Sequence, residues 1–108
     1  MKKDALKANA FVLADLLDHQ KDAIVSREIV KKDAGTVTLF AFDKGQGLSE
    51  HTAPYDALIY VVDGRADIRI SGRLSIVKKG EMIIMPAGKP HSVTAIAKFK
   101  MLLVMIRK

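Results

Sequence analysis

Gly80-Glu81-Met82-Ile83-Ile84-Met85-Pro86-Ala87-Gly88-Lys89-Pro90-His91 is the stretch that decides the fold. Residues 82–85 are apolar throughout and long enough only for a short, doubly buried strand. A glycine turn precedes them, and a loop with two prolines follows, since proline has no amide to give a sheet interior. His91 stands where the next strand begins. Residues 45–64 repeat this layout: Gly45 and Gly47 punctuate a loop, His51 follows, Pro54 interrupts, and the apolar run 58–62 ends at Asp63-Gly64. The chain carries two such units, each an apolar strand with a turn and one histidine at its rim.

Outward from these units the chain reads as strands. Residues 24–31 and 36–42 come first; in the latter, Val37, Leu39 and Ala41 share one face by period-two alternation, and Phe40 and Phe42 make the other apolar too. Asp63-Gly64 reads as a two-residue hairpin turn. Ala66, Ile68 and Ile70 alternate with Arg65, Asp67 and Arg69, a half-buried strand. Ser71-Gly72 turns the chain, and residues 73–77 follow with Leu74 and Ile76 expected inward. Residues 91–97 and 99–106 finish it. Eight or nine short strands at turn spacing predict an all-β barrel or sandwich. The only helical pattern is N-terminal, where Leu6, Ala10, Leu13 and Leu17 form one stripe; Asp15 and Asp18 oppose the dipole at its end, so a short or irregular helical segment is expected. The organisation read is a segment 1–22 followed by a single barrel domain 23–108.

Composition narrows the function classes. With 108 residues the chain suits one domain. Its net charge is +6, but the lysines come in scattered pairs (Lys2-Lys3, Lys31-Lys32, Lys78-Lys79) without interleaved aromatics, which argues against a nucleic-acid surface. There is no cysteine, so disulfides, thiolate metal sites and cysteine nucleophiles are excluded. No run approaches the ~20 apolar residues of a membrane span, and Lys2, Lys3 and Asp4 lead into a mixed segment rather than a signal-peptide core. The expectation is a cytoplasmic protein that does not engage membranes.

The two units together resemble the signature motifs of the cupin family, a double-stranded β-helix, or jelly-roll, barrel of antiparallel strands. Gly80, Pro86, Gly88 and His91 match the family's second motif without a gap. Aligned on Gly64, His51 matches the first histidine of the first motif, while Ala53 and Ala57 stand where the family has a second histidine and a glutamate, and Ala95 where it has an asparagine. In the family three histidines and the glutamate hold a divalent metal. The resemblance therefore implies His51 and His91 as an incomplete ligand pair, able to hold iron, nickel, zinc or manganese only weakly, because lasting sites want three or four protein ligands. Glu50, Asp56 and Tyr55 are candidate substitutes, although Glu50 and Asp56 neighbour inward positions and so point away from them.

The alanines leave space where a metal would sit. The expected pocket comprises His51, Ala53, Tyr55, Ala57, Ile59, His91, Val93 and Met101, with Val37, Leu39, Val61, Leu103 and Met105 as further inner wall. An apolar cavity with two imidazoles is a common design for binding a small molecule. Three functions remain open: a small-molecule binder, a metal-dependent oxygenase, isomerase or decarboxylase using His51 and His91, and an interaction module working through its outer face. Catalysis is not decided by these residues. Strands apolar on both faces need a cover, so a homodimer is expected.

Overall fold

Nine strands account for most of the described residues, and every neighbouring pair among them is antiparallel. The computed structural model describes residues 6–107. The strands are β1 (Ile24–Lys32), β2 (Gly35–Phe42), β3 (Gly47–His51), β4 (Ala57–Asp63), β5 (Arg65–Ile70), β6 (Arg73–Lys78), β7 (Met82–Met85), β8 (His91–Thr94) and β9 (Phe99–Ile106). They form a five-stranded sheet in the order β1-β2-β9-β4-β7 and a four-stranded sheet in the order β3-β8-β5-β6. The fold is thus all-β, and the facing surfaces of the two sheets enclose one apolar core.

The register decides which side chains enter that core. Met101 is buried in it and pairs across the ladder with Phe40 and Val61. Phe40 and Phe42 therefore face inward, and the Phe42 ring stacks on Phe99 with centroids 4.5 Å apart. Val37, Leu39 and Ala41 lie on the opposite face. This reverses the expected inner-wall role of Val37 and Leu39: with both faces of β2 apolar, alternation fixed the two sets but not their direction. On β6 the expected sides also exchange. Ala66 pairs with Val77 and Ile68 with Ser75, so Val77 is buried and Leu74 and Ile76 are exposed.

Two turns that look alike in sequence do different work. Ser71 and Gly72 both have positive φ, 50° and 81°, and close the β5–β6 hairpin, the backbone a tight two-residue hairpin demands. Asp63-Gly64 does not close a hairpin, contrary to expectation. Strand β4 pairs with β7 and β9, whereas β5 pairs with β6 and β8, so the chain changes sheet here. Glycine is required at this corner: φ is 75°, and a Cβ would collide with the Lys98 carbonyl oxygen.

The N-terminal segment holds a single-turn 3-10 element, Leu13–Leu16, and no α-helix among the described residues. Ala8 already has a positive φ of 63°, and Leu17 is extended, so the leucine stripe never becomes a continuous helix. The part of the predicted stripe at residues 1–5 lies outside the described residues. The segment is tied to the outer face of the larger sheet by hydrogen bonds from both its backbone and a side chain. Lys100 Nζ donates to the Ala14 carbonyl (2.6 Å), and His19 Nε2 donates to that of Phe99 (3.1 Å). Leu39 and Ala41 are fully buried beneath this face yet lie outside the core cluster. The segment thus supplies part of the cover that a doubly apolar sheet needs. Asp43 fastens its far end: its carboxylate accepts from the amides of Asp22 (2.6 Å) and Lys44 (2.9 Å). The Asp22 amide is the leading reason that this carboxyl lies below its ordinary value. No helix among the described residues is long and apolar enough to cross a membrane.

Candidate functional site

His51 and His91 meet because β3 contains one residue too many. Leu48 pairs with Val93, but the next pair is His51 with His91, three residues on along β3 and two along β8. Without that bulge, alternation from the inward Leu48 would bring Glu50 opposite His91. The extra residue re-aims the strand, as bulges do, and an imidazole rather than a carboxylate faces its partner. The two Nε2 atoms are 3.2 Å apart, with ring centroids at 4.4 Å and the rings edge to face. His91 is only 4% exposed, while His51 stands at the exposed rim.

The remaining ring nitrogens also face acceptors. His51 Nδ1 lies 2.8 Å from the Ser49 carbonyl oxygen, and His91 Nδ1 lies 3.2 Å from that of Lys89. A carbonyl can only accept, so each Nδ1 contact asks for a proton, and the Nε2–Nε2 contact asks for a third. Two neutral imidazoles carry two. The pair is therefore one proton short: when both Nδ1 positions are protonated, two Nε2 lone pairs face each other. Burial of His91 opposes an added charge and pushes its imidazole below the ordinary value of 6.5; the Lys89 carbonyl acts the other way, and the His51 ring adds to the lowering.

Below the pair is a cavity of about 50 Å³, room for roughly three or four water molecules. Its lining includes six of the predicted residues besides Ala53: His51, Ala57, Ile59, His91, Val93 and Met101. Leu103 and Met105 also line it, as expected, while Val61 is buried in the core and is not among the lining residues. Ala53 and Ala57 present methyls to this space. Ala95 does not reach it; its backbone pairs with Gly45 and Gln46. Tyr55 is not among the lining residues, and its ring lies under the Arg107 guanidinium, 5.7 Å from the centroid. Sequence reasoning missed Leu48 and Met85. Met85 ends an apolar strand and pairs with Ala57, a signal that was present; Leu48 depended on register.

The candidate substitute ligands are engaged elsewhere or misdirected. Asp56 Oδ1 accepts from the Ala87 amide at 2.8 Å, and the Gly88 amide donates to the Ala53 carbonyl at 2.8 Å, so residues 53–56 and 86–88 are laced together at the rim. Glu50 is exposed. Among the described residues no group of three or more His, Cys, Asp or Glu side chains gathers to hold a metal ion. Two imidazoles amid methyl and methionine side chains do not make the donor set a resident divalent ion requires.

A family profile for the cupin domain matches residues 38–107. Among solved structures, a conserved protein of unknown function from Streptococcus pyogenes is 35% identical with a TM-score of 0.89, over 94% of this chain and 89% of that one. A cupin 2 conserved barrel domain protein from Leptotrichia buccalis is 41% identical with a TM-score of 0.86, over 90% of this chain and 47% of that one. Salicylate 1,2-dioxygenase from Pseudoaminobacter salicylatoxidans, at 14% identity and TM-score 0.71 over 77% of this chain and 25% of that one, shares the fold. No curated protein matches the chain.

The lowered His91 value sets the sign of a pH effect. Below 6.5 the unfolded chain takes up a proton at this residue that the folded protein resists, so stability falls as pH drops from 7 toward the folded value and levels off below it. Urea unfolding at pH 7.5 and 5.5 should show a larger loss for the native protein than for His91→Gln, which cannot titrate. Equal losses would remove the burial of a neutral imidazole from the account.

Proposed function

The chain belongs to the cupin family, and on that premise we propose that it binds a compact small molecule inside the barrel, with the His51–His91 pair as polar anchor and no tightly held metal. The observation that carries this reading is the opposed pair of Nε2 atoms above an apolar cavity. A pair short of one proton is satisfied by a ligand that brings one, as a hydroxyl, a carboxylic acid or an ammonium does. Methionines 85, 101 and 105 and two alanines give the body of such a ligand an adaptable apolar wall. The buried setting strengthens the single polar contact, because little water competes there.

A metal-dependent enzyme is the second reading, favoured by one observation, the convergence of two Nε2 atoms on one point. It lacks the third and fourth donors. One preparation separates the two readings. Protein purified without a metal-affinity tag should contain well under one equivalent of iron, nickel, zinc or manganese. Isopropanol, whose hydroxyl keeps its proton at neutral pH, should at tens of millimolar concentration shift the NMR signals of His91 and the Met101 methyl, and His51→Ala should weaken that response about tenfold. Stoichiometric metal that disappears in His91→Ala would reverse the preference.

A second copy of the chain belongs to the same proposal. Tyr60, Met82, Ile84 and Ile106 are exposed on the outer face of β4, β7 and β9, and Met82 and Ile84 stand opposite Tyr60 and Leu58 in register. These four residues carry no charge on a chain of net charge +6, so two copies can meet across them without setting like charges together. Light scattering at micromolar concentration should give twice the chain mass, falling to the chain mass in Met82→Glu/Ile84→Glu. A monomeric native protein contradicts the assembly.

A further inference from the structure

Away from the barrel interior, the N-terminal segment and β1 enclose a second groove of about 470 Å³, within the size range of small-molecule sites. Its apolar surface comes from Leu6, Phe11, Ile29 and Val30, and its charges are Lys7, Lys31 and Lys32, with no acidic residue among the described residues of the lining. A register skip between Glu28 and Val30 explains the floor. Arg27 and Val30 pair with Leu39 and Val37, both on the outer face. Ile29, the extra residue, is two beyond Arg27, so the bulge puts two adjacent apolar side chains on one side of the sheet. Regular alternation would have turned one of them into the core. Phe11 and Val30 are left 43% and 41% exposed.

We infer that this groove binds an amphiphilic anion, an aliphatic chain ending in a carboxylate. Each half of the lining excludes a simpler occupant. An inorganic anion or a nucleic-acid backbone would satisfy the lysines but leave Phe11 and Val30 wet. A second copy related by a two-fold axis through this face would set the lysines of one chain against those of the other. A neutral lipid would fill the floor and leave Lys7, Lys31 and Lys32 unused. Only an occupant with both characters uses both sets of residues. The site is separate from the histidine cavity, and its fate does not depend on what the barrel holds.

The test is calorimetric titration of the full-length protein with sodium dodecanoate below its micellar concentration. The expected result is one saturable event per chain, weakened at least tenfold in Lys31→Glu/Lys32→Glu and in Phe11→Ser, and unchanged in Lys78→Glu/Lys79→Glu, a lysine pair elsewhere on the surface. Dodecanol should bind at least tenfold more weakly than dodecanoate. All these positions are exposed, and circular dichroism verifies that each variant is folded. The inference is overturned by non-saturable uptake, by equal losses in the two lysine double variants, or by equal affinity for dodecanol. Tighter binding of a glutamate-rich peptide than of dodecanoate also overturns it, as does a change in chain association in Lys31→Glu/Lys32→Glu without any dodecanoate binding.

Discussion

The one-residue excess in β3, between Leu48 and His51, is the constraint on which the site depends. It is a backbone feature, and its consequence is chemical. Strand β8 offers a nearly buried imidazole from one sheet position, and the bulge determines whether a carboxylate or a second imidazole meets it. With Glu50 opposite, the pair would be an ordinary charged hydrogen bond. With His51 opposite, two groups with the same appetite face each other 3.2 Å apart, and their Nδ1 atoms already lie against carbonyls. The rim is kept in place by backbone and carboxylate contacts between residues 53–56 and 86–88, which hold the mouth open above methyl-lined space.

The rest of the molecule supports this arrangement through sheet changes rather than through a continuous meander. The corner at Gly64 takes the chain from the larger sheet to the smaller one, and this is what lets β4 line the cavity from one side while β8 supplies His91 from the other. Stacked Phe42 and Phe99 close the core at the opposite end of the same ladder. The outer face of the larger sheet is then left with more apolar surface than a barrel wall requires. The N-terminal segment covers Leu39 and Ala41, and the edge near β7 stays open.

Much of this was legible in the residues. The β9 run and the Ser71-Gly72 hairpin followed from alternation and turn chemistry, and the gapless motif at residues 80–91 placed the second histidine. His51, His91, Ala53, Ala57, Ile59, Val93 and Met101 could be named because strand period and motif spacing converge on them. What failed did so for identifiable reasons. Val37 and Leu39 sit on a strand apolar on both faces, where alternation has no preferred direction. Leu74 and Ile76 were turned by hairpin register, not by their hydrophobicity. Asp63-Gly64 carries a hairpin signature because a positive φ suits a sheet-changing corner equally well. The leucine stripe of the N-terminal segment has helical spacing, yet left-handed Ala8 and extended Leu17 bound it to a single turn. Bulges leave no mark in composition, and both grooves of interest owe their linings to one.

The contact between the two rings is the claim on which the functional account turns, and side-chain NMR titration of the histidines reads it directly. The account predicts that His91 titrates below 6.5, held down by burial and by the His51 ring, and that its midpoint moves upward in His51→Ala, which exposes His91 and removes the like-charged neighbour. A His91 midpoint at or above the ordinary value, unmoved by that substitution, would contradict it.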